Sequence, residues 1–356
     1  MNNGNIVNDF RIKQSLETIQ KLLTNKNKII ITSHLGRPTE GVYEESLSLK
    51  PICKYLSALL ERDIKFFNSY RDNINFEDYE IAMLENVRFN TGEKSSNSDL
   101  SKAYASLADY FVFDAFGVAH RKESSTFGVS EYLKTYPGLN ISNEIHTINQ
   151  LIHEDSRPMT IIISGAKVST KLIVIQKLLA KCDFMILGGG ILNTFLKAKG
   201  NEIGNSLYEE DLVNEAKNIL SSDFSSKIIF PIDLSCESES KPKNIDVSNI
   251  SKNDIIFDVG EKSLEHIKSI INKSAAIFWN GPLGYVEKEP FDRGTIELAK
   301  IIAEHNCFSI IGGGDTLPII ENLNLQSQFS CLSTGGGSLL TYLEGGDLPI
   351  LDKLDL

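Results

Sequence analysis

Short aliphatic and β-branched runs, separated by stretches of helical period, recur along nearly the whole chain. This alternation narrows the possible folds more than any other feature. The runs in the first part are Lys28–Thr32, Ile64–Phe67, Ile81–Leu84 and Phe111–Asp114. Those in the second are Met159–Ser164, Phe184–Leu187, Lys227–Phe230, Ile255–Phe257, Ala275–Trp279 and Phe308–Ile311. They read as continuous apolar runs, which suits strands covered on both faces. The segments Lys50–Glu61, Ser98–Ala108, Val168–Ala180, Phe291–Ala303 and Asp315–Asn322 read as helices between them. Repeated βαβ units predict an α/β protein with parallel sheets and helices on both faces.

With 356 residues and roughly 150 per domain, two cores are expected. The boundary falls near Pro137–Asp155. There Pro137-Gly138 signals a turn, and Ile145, Ile148, Leu151 and Ile152 recur at helical spacing. The expected architecture is two doubly wound parallel-sheet lobes, residues 1–136 and 156–338, joined by a helical hinge over 137–155, with residues 339–356 as a C-terminal segment. The polar stretch Ser235–Asp254 reads as a surface loop.

The net charge of −11 argues against a broad basic face for nucleic acid or an anionic membrane. Five dispersed cysteines without a C-x-x-C pair read as reduced thiols, not a disulfide framework or zinc site. There is no basic flank with an apolar stretch at the N-terminus and no run of about 18 apolar residues. A cytoplasmic protein is expected.

Ligands of open parallel sheets bind beyond the carboxyl ends of the strands. In the first half those ends carry cations. Ile29–Thr32 leads into Ser33-His34-Leu35-Gly36-Arg37-Pro38, Ile81–Leu84 into Glu85-Asn86-Val87-Arg88-Phe89, and Phe111–Asp114 into Ala115 through His120-Arg121. A single arginine is as readily a surface ion pair. Three at matching positions predict forks for carboxylate or phosphate.

In the second half the ends carry glycine: Ser164-Gly165-Ala166-Lys167, Gly188-Gly189-Gly190, Asn280-Gly281-Pro282-Leu283-Gly284, Gly312-Gly313-Gly314-Asp315-Thr316 and Ser333-Thr334-Gly335-Gly336-Gly337. Glycine admits a ligand close to the backbone, and amides at helix starts face anions. Lys167 and Lys171, read as one helical turn apart, add point charges for phosphates. Asp315 is either a helix N-cap or a holder of Mg²⁺ among phosphates. There is no Walker loop and no G-x-G-x-x-G fingerprint, which leaves a dinucleotide oxidoreductase without support. A cationic lobe and a glycine-rich lobe together predict phosphoryl transfer between a nucleotide and a small anion.

The motifs SHLGRP, ENVRF, DAFGVAHR, SGAKVSTK, LGGGILNTFLKAKG, WNGPLGYVE, IGGGDT and STGGG, in that order, resemble those of the phosphoglycerate kinase family from about Gly4 to Leu348. The resemblance implies reversible transfer between 1,3-bisphosphoglycerate and ADP, giving 3-phosphoglycerate and ATP with Mg²⁺, in a monomer of glycolysis. It implies that residues 1–136 take 3-phosphoglycerate through Arg11, His34, Leu35, Gly36, Arg37, Arg88 and Arg121. It implies catalytic roles for Arg11, Lys167 and Gly336. Nucleotide contacts are implied at Lys171, Gly189, Asn280, Glu287, Gly313, Gly314, Asp315 and Thr316 of residues 156–338, with Asp315 at the metal. The C-terminal segment is expected to return towards the first lobe.

The chain departs from the family at its start, where an Arg-Val-Asp-Phe-Asn type strand is usual and Met1-Asn2-Asn3-Gly4 stands. Either the start lies upstream, or the protein is a shortened, catalytically impaired relative that keeps nucleotide or partner binding. An absent strand is expected to leave unpaired sheet edges. Ser164 stands for Gly, Thr170 for an acidic residue, Glu261 for Pro and Glu123 for His. The last brings negative charge to the anion pocket.

Overall fold

The computed structural model describes residues 6, 8–152, 156–169 and 171–354. Thr170 and residues 1–5, 7, 153–155 and 355–356 lie outside them. The chain divides into two α/β units, one running to Glu144 and resumed from Asp347, the other spanning Ile145–Gly346. The change of unit falls within a single helix.

The first unit begins with α1 (Phe10–Thr24), β1 (Ile29–Ile31), α2 (Lys50–Leu60), β2 (Ile64–Phe67) and β3 (Ile81–Leu84). It continues with α3 (Ser98–Ala105), β4 (Tyr110–Phe113) and β5 (Lys134–Pro137), and α4 (Leu139–Ile152) then crosses into the second unit. The strands form two parallel sheets, β1-β3-β2 and β4-β5. β1 is an edge of the first, and both strands of the second are edges. β3 is buried along its whole length, as its unbroken apolar run requires. Ile19 of α1 and Leu56 of α2 pack on Ile29 and Ile81, and Cys53 packs with Leu49 and Met83. Asp114, just after β4, accepts from the Thr18 hydroxyl at 2.5 Å and from the Ile141 amide at 2.9 Å. It thereby ties α1 to the first turn of α4 and satisfies an otherwise unpaired amide.

The second unit contains β6 (Met159–Ser164), α5 (Leu172–Lys181), β7 (Phe184–Gly188), α6 (Gly189–Ala198), α7 (Val213–Leu220) and β8 (Ile228–Ile229). Then come β9 (Asp233–Ser238), β10 (Lys241–Asp246), β11 (Ile255–Val259), α8 (Glu261–Ile271) and β12 (Ala276–Asn280). It closes with α9 (Arg293–His305), β13 (Phe308–Gly312), α10 (Leu317–Asn322), β14 (Cys331–Ser333) and α11 (Gly337–Leu343). Six parallel strands run in the order β14-β13-β12-β6-β7-β8. From β6 the chain winds outward through β7 to β8, then returns to β12 on the other flank of β6 and winds outward again. The order therefore reverses between β6 and β12, and a crevice opens at such a reversal.

The expected surface loop at Ser235–Asp254 is corrected. β9 and β10 form an antiparallel hairpin, and β11 pairs with the other side of β9. Its turn residues, Glu239 and Ser240, have φ of 51° and 62°, the primed geometry that fits strand twist. Leu234, Cys236 and Ile245 point inward while Lys241 to Asn244 stay exposed, so a polar sequence still carries one buried face.

Candidate active site

In the first unit, the turn after β1 is held by the motif after β3. The buried Glu85 carboxylate accepts from the Leu49 and Asn86 amides at 2.8 and 2.7 Å and from the Ser48 hydroxyl at 2.6 Å. The Asn86 side-chain amide donates to the Leu35 and Leu47 carbonyls at 2.8 and 3.0 Å, and its oxygen accepts from the Arg88 amide at 3.1 Å. Glu85 and Asn86 were visible in the sequence but not assigned; they fix the loops that carry His34 to Arg37 and Arg88. Gly36 has φ +65°, and a Cβ there would lie 2.7 Å from Leu47 Cδ2, so the turn favours glycine.

The Arg88 side chain, 5% exposed, donates from Nη1 to the Gly36 carbonyl at 2.8 Å and from Nη2 to Glu123 Oε1 at 3.3 Å. Arg121 Nη1 reaches the same Oε1 at 3.3 Å, and Arg121 Nε donates to His120 Nε2 at 3.2 Å. Burial, aided by the Arg88 charge, pushes His34 down to about 4, with Arg121 and Arg11 acting in the same direction. His34 is thus neutral near pH 7 and offers hydrogen bonds without charge. The structure brings His34, Gly36, Arg88 and Arg121 together. Arg11 stands exposed on α1, Arg37 is exposed after Gly36, and the Leu35 side chain packs with Leu49 and Met83.

Glu93 lies wholly buried in the same region, accepting from the Ser125 hydroxyl and, at 3.3 Å, from its amide. Burial pushes its carboxyl up to about 7. Below the ordinary glutamate range both folded and unfolded states hold the proton. Between about 4.5 and 7 only the folded state keeps it, so this group lowers stability as pH rises through that window. Glu93→Gln removes the titration. Thermal melts should show the variant gaining on the parent between pH 4.5 and 7 and keeping a constant difference above it.

In the second unit, the first and last residues around the sheet reversal meet directly. Asn280 at the end of β12 lies in register with Ile163 of β6 and Gly312 of β13. Lys171 Nζ donates to the Ser164 carbonyl at 2.6 Å and to Asn280 Oδ1 at 2.7 Å. Burial pushes this ammonium down to about 8, and the nearby Asp315 carboxylate partly opposes the shift. Gly281 has φ +96°, and a Cβ there would fall 2.2 Å from the Ser164 carbonyl oxygen; the close passage of the two strand ends excludes every other residue. A Cβ on Gly313 would lie 3.2 Å from both the Gly281 amide nitrogen and Thr316 Oγ1. Thr316 Oγ1 is buried without a hydrogen-bond partner. The Gly189 amide donates to the Leu283 carbonyl at 3.0 Å, and that of Ile191 to Gly165 at 3.2 Å, which seats the start of α6 beneath the loop after β6.

Two expectations are corrected. α5 starts at Leu172, so Lys167 lies in the preceding loop and is not one helical turn from Lys171. Lys167 is exposed, and its charge, with hydrogen bonds from Ser169, helps hold Glu209 low against its desolvation. Asp315 is not an N-cap, because α10 begins at Leu317 behind Thr316; it stands exposed beside the glycines. Gly314 is exposed beside it, Glu287 is exposed in the loop after β12, and Gly336, with φ +44°, precedes the first turn of α11.

A family model described as phosphoglycerate kinase matches residues 1–346. The phosphoglycerate kinase of Francisella philomiragia is 41% identical over 99% of this chain and 91% of its own length. That of Francisella tularensis subsp. novicida is 42% identical over the same shares. The solved phosphoglycerate kinase of Coxiella burnetii superposes with a TM-score of 0.87 at 38% identity, covering 99% of this chain and 92% of that one. The enzyme from Pyrococcus horikoshii OT3 gives 0.88 at 28% identity, with the same coverage.

Proposed function

The chain belongs to the phosphoglycerate kinase family, and from that premise we propose that its first unit binds the glycerate and its second the nucleotide. The enzyme is a phosphotransferase with a carboxyl group as acceptor, moving a phosphoryl group reversibly between 1,3-bisphosphoglycerate and ADP. A catalytically impaired relative is not favoured, since the relatives matching 99% of the chain are phosphoglycerate kinases.

The observation that carries the division of labour is the contrast between the two sets of strand ends. One presents the forks of Arg88 and Arg121 beside neutral His34. The other presents glycine backbone around a buried lysine. Forked guanidinium groups, with Arg37 and Arg11, suit the carboxylate and phosphate of 3-phosphoglycerate. Gly313, Gly314 and Gly189 are assigned to the nucleotide phosphates, with open space at Gly314, and Lys171 supplies charge to them. Asn280 orients that lysine, and Glu287 is assigned to the nucleotide's sugar. Lys167 and the amides after Gly336 stabilise the transferring group, and Arg11 is assigned a catalytic role.

Mg²⁺ would be held by Asp315 together with nucleotide phosphates. The donor set fits. Among the described residues there is no group of three or more His, Cys, Asp or Glu that could hold a metal, and Mg²⁺ among phosphates needs only one or two carboxylates. The orphaned Thr316 hydroxyl adds a polar atom beside Asp315. When bound, the ion neutralises charge on the phosphates. Among the described residues no helix is long and apolar enough to cross a membrane. We assign the protein to the cytoplasm as a monomer.

The test uses Trp279, the only tryptophan. It is fully buried, and its indole donates to the Gly281 carbonyl at 2.7 Å. ADP binding should change its fluorescence. Because burial brings the Lys171 ammonium down to about 8 in the free protein, affinity should fall by roughly thirtyfold between pH 7 and 9.5. In Lys171→Met that decline should vanish. An unchanged profile in the variant refutes the role of Lys171.

A further inference from the structure

The arginine pair already holds an anion supplied by the protein. Glu123 Oε1 lies 3.3 Å from Nη2 of Arg88 and 3.3 Å from Nη1 of Arg121, so one carboxylate oxygen bridges two guanidinium groups. The Glu123 side chain is 8% exposed, against 34% for Arg121. Its backbone is pinned as well. The Glu123 carbonyl accepts from the Thr126 and Gly128 amides at 3.2 and 3.0 Å, and its own amide donates to Thr126 Oγ1 at 3.3 Å. The carboxylate therefore has no solvent to swing into when another anion arrives. Arg88 Nε remains buried without a hydrogen-bond partner, so a donor of the fork is still unspent.

We propose that Glu123 is a positioning residue: it holds Arg88 and Arg121 at a fixed separation and, by its charge, weakens their grip on any anion. The inference rests on these arginines being the glycerate side. Within the bridged trio two cations and one carboxylate leave a net single positive charge, with His34 neutral beside them, while Arg11 and Arg37 are exposed cations outside the bridge. A ligand whose only merit is negative charge gains little from such a site. One that also fills the fork geometry gains the hydrogen bonds. Glu123 thus trades affinity for a fixed spacing of the two forks.

Glu123→Gln keeps a carbonyl oxygen for the two guanidinium groups and removes the charge. In the full chain, titrated with inorganic sulfate and separately with 3-phosphoglycerate, both anions should bind more tightly, on the order of tenfold. In the coupled assay the change should appear in KM for 3-phosphoglycerate and in the inhibition constant of sulfate. Glu123→Ala, which also removes the tether, should weaken 3-phosphoglycerate binding, and Glu123→Gln should exceed it. Unchanged sulfate and 3-phosphoglycerate affinities in Glu123→Gln, or weakening of both, overturn the proposal. If Arg88→Met leaves 3-phosphoglycerate binding intact, the arginine pocket itself is misassigned, and that result is distinguishable from a failure of Glu123.

Discussion

Arg88→Met is expected to lower kcat/KM for 3-phosphoglycerate by roughly a hundredfold to a thousandfold, the scale for truncating one partner of a buried, hydrogen-bonded charge pair. The loss has two parts. Methionine cannot donate to the Gly36 carbonyl, so the turn carrying His34 and Arg37 loses its cross-link to the β3 loop. It also takes from the buried Glu123 carboxylate one of its two guanidinium partners, leaving only Arg121. A buried charge left wholly uncompensated costs about 3–5 kcal/mol, and this partial loss of compensation should lower the thermal midpoint as well. Adding Glu123→Gln separates the parts: the double variant should recover stability in a melt while activity stays low. Recovery of activity with stability would show that Arg88 only neutralises Glu123. Arg88→Lys should restore little, because a point charge cannot serve Gly36 and Glu123 with one rigid fork.

Much of this pocket was legible because the chemistry follows directly after strands. β3 is four apolar residues, and the five that follow it contain Glu85, Asn86 and Arg88. Strand ends and ligands go together in parallel sheets, so three arginines in such positions already pointed to one site. What stayed hidden was long-range partnership. Nothing near Lys171 in sequence indicates that its ammonium is buried between Ser164 and Asn280, which lies 109 residues away. A helix pattern over Val168–Ala180 placed that lysine on a helix face, whereas the strand-end carbonyl captures it before the helix starts at Leu172. The β9–β10 hairpin escaped for a different reason. Its turn uses Glu239 and Ser240 at positive φ where Asn or Gly is the usual signal, and only Leu234, Cys236 and Ile245 mark its inner face. β5 was masked by Pro137-Gly138, which reads as a turn, although Pro137 pairs at the end of a sheet edge.

The second large effect separates two lysines that look alike in sequence. Lys167→Ala should lower kcat by roughly 10²–10³-fold, the loss seen when one preorganised stabiliser of developing charge is removed, while ADP affinity read through Trp279 changes far less. Lys167 is exposed on a loop and interacts with Glu209 electrostatically. Its removal therefore leaves no buried hole. Lys171 is the opposite case, since its ammonium is spent on Ser164 and Asn280 in the free protein. Its loss should reach nucleotide binding and folding together, because two buried acceptors are left unpaired. An interaction made only in the transition state lowers kcat and kcat/KM equally, whereas one made in the ground state raises KM. Lys167→Ala should follow the first pattern and Lys171→Met the second. Equal losses of ADP affinity in the two variants would remove the transition-state role from Lys167 and make both lysines simple phosphate holders.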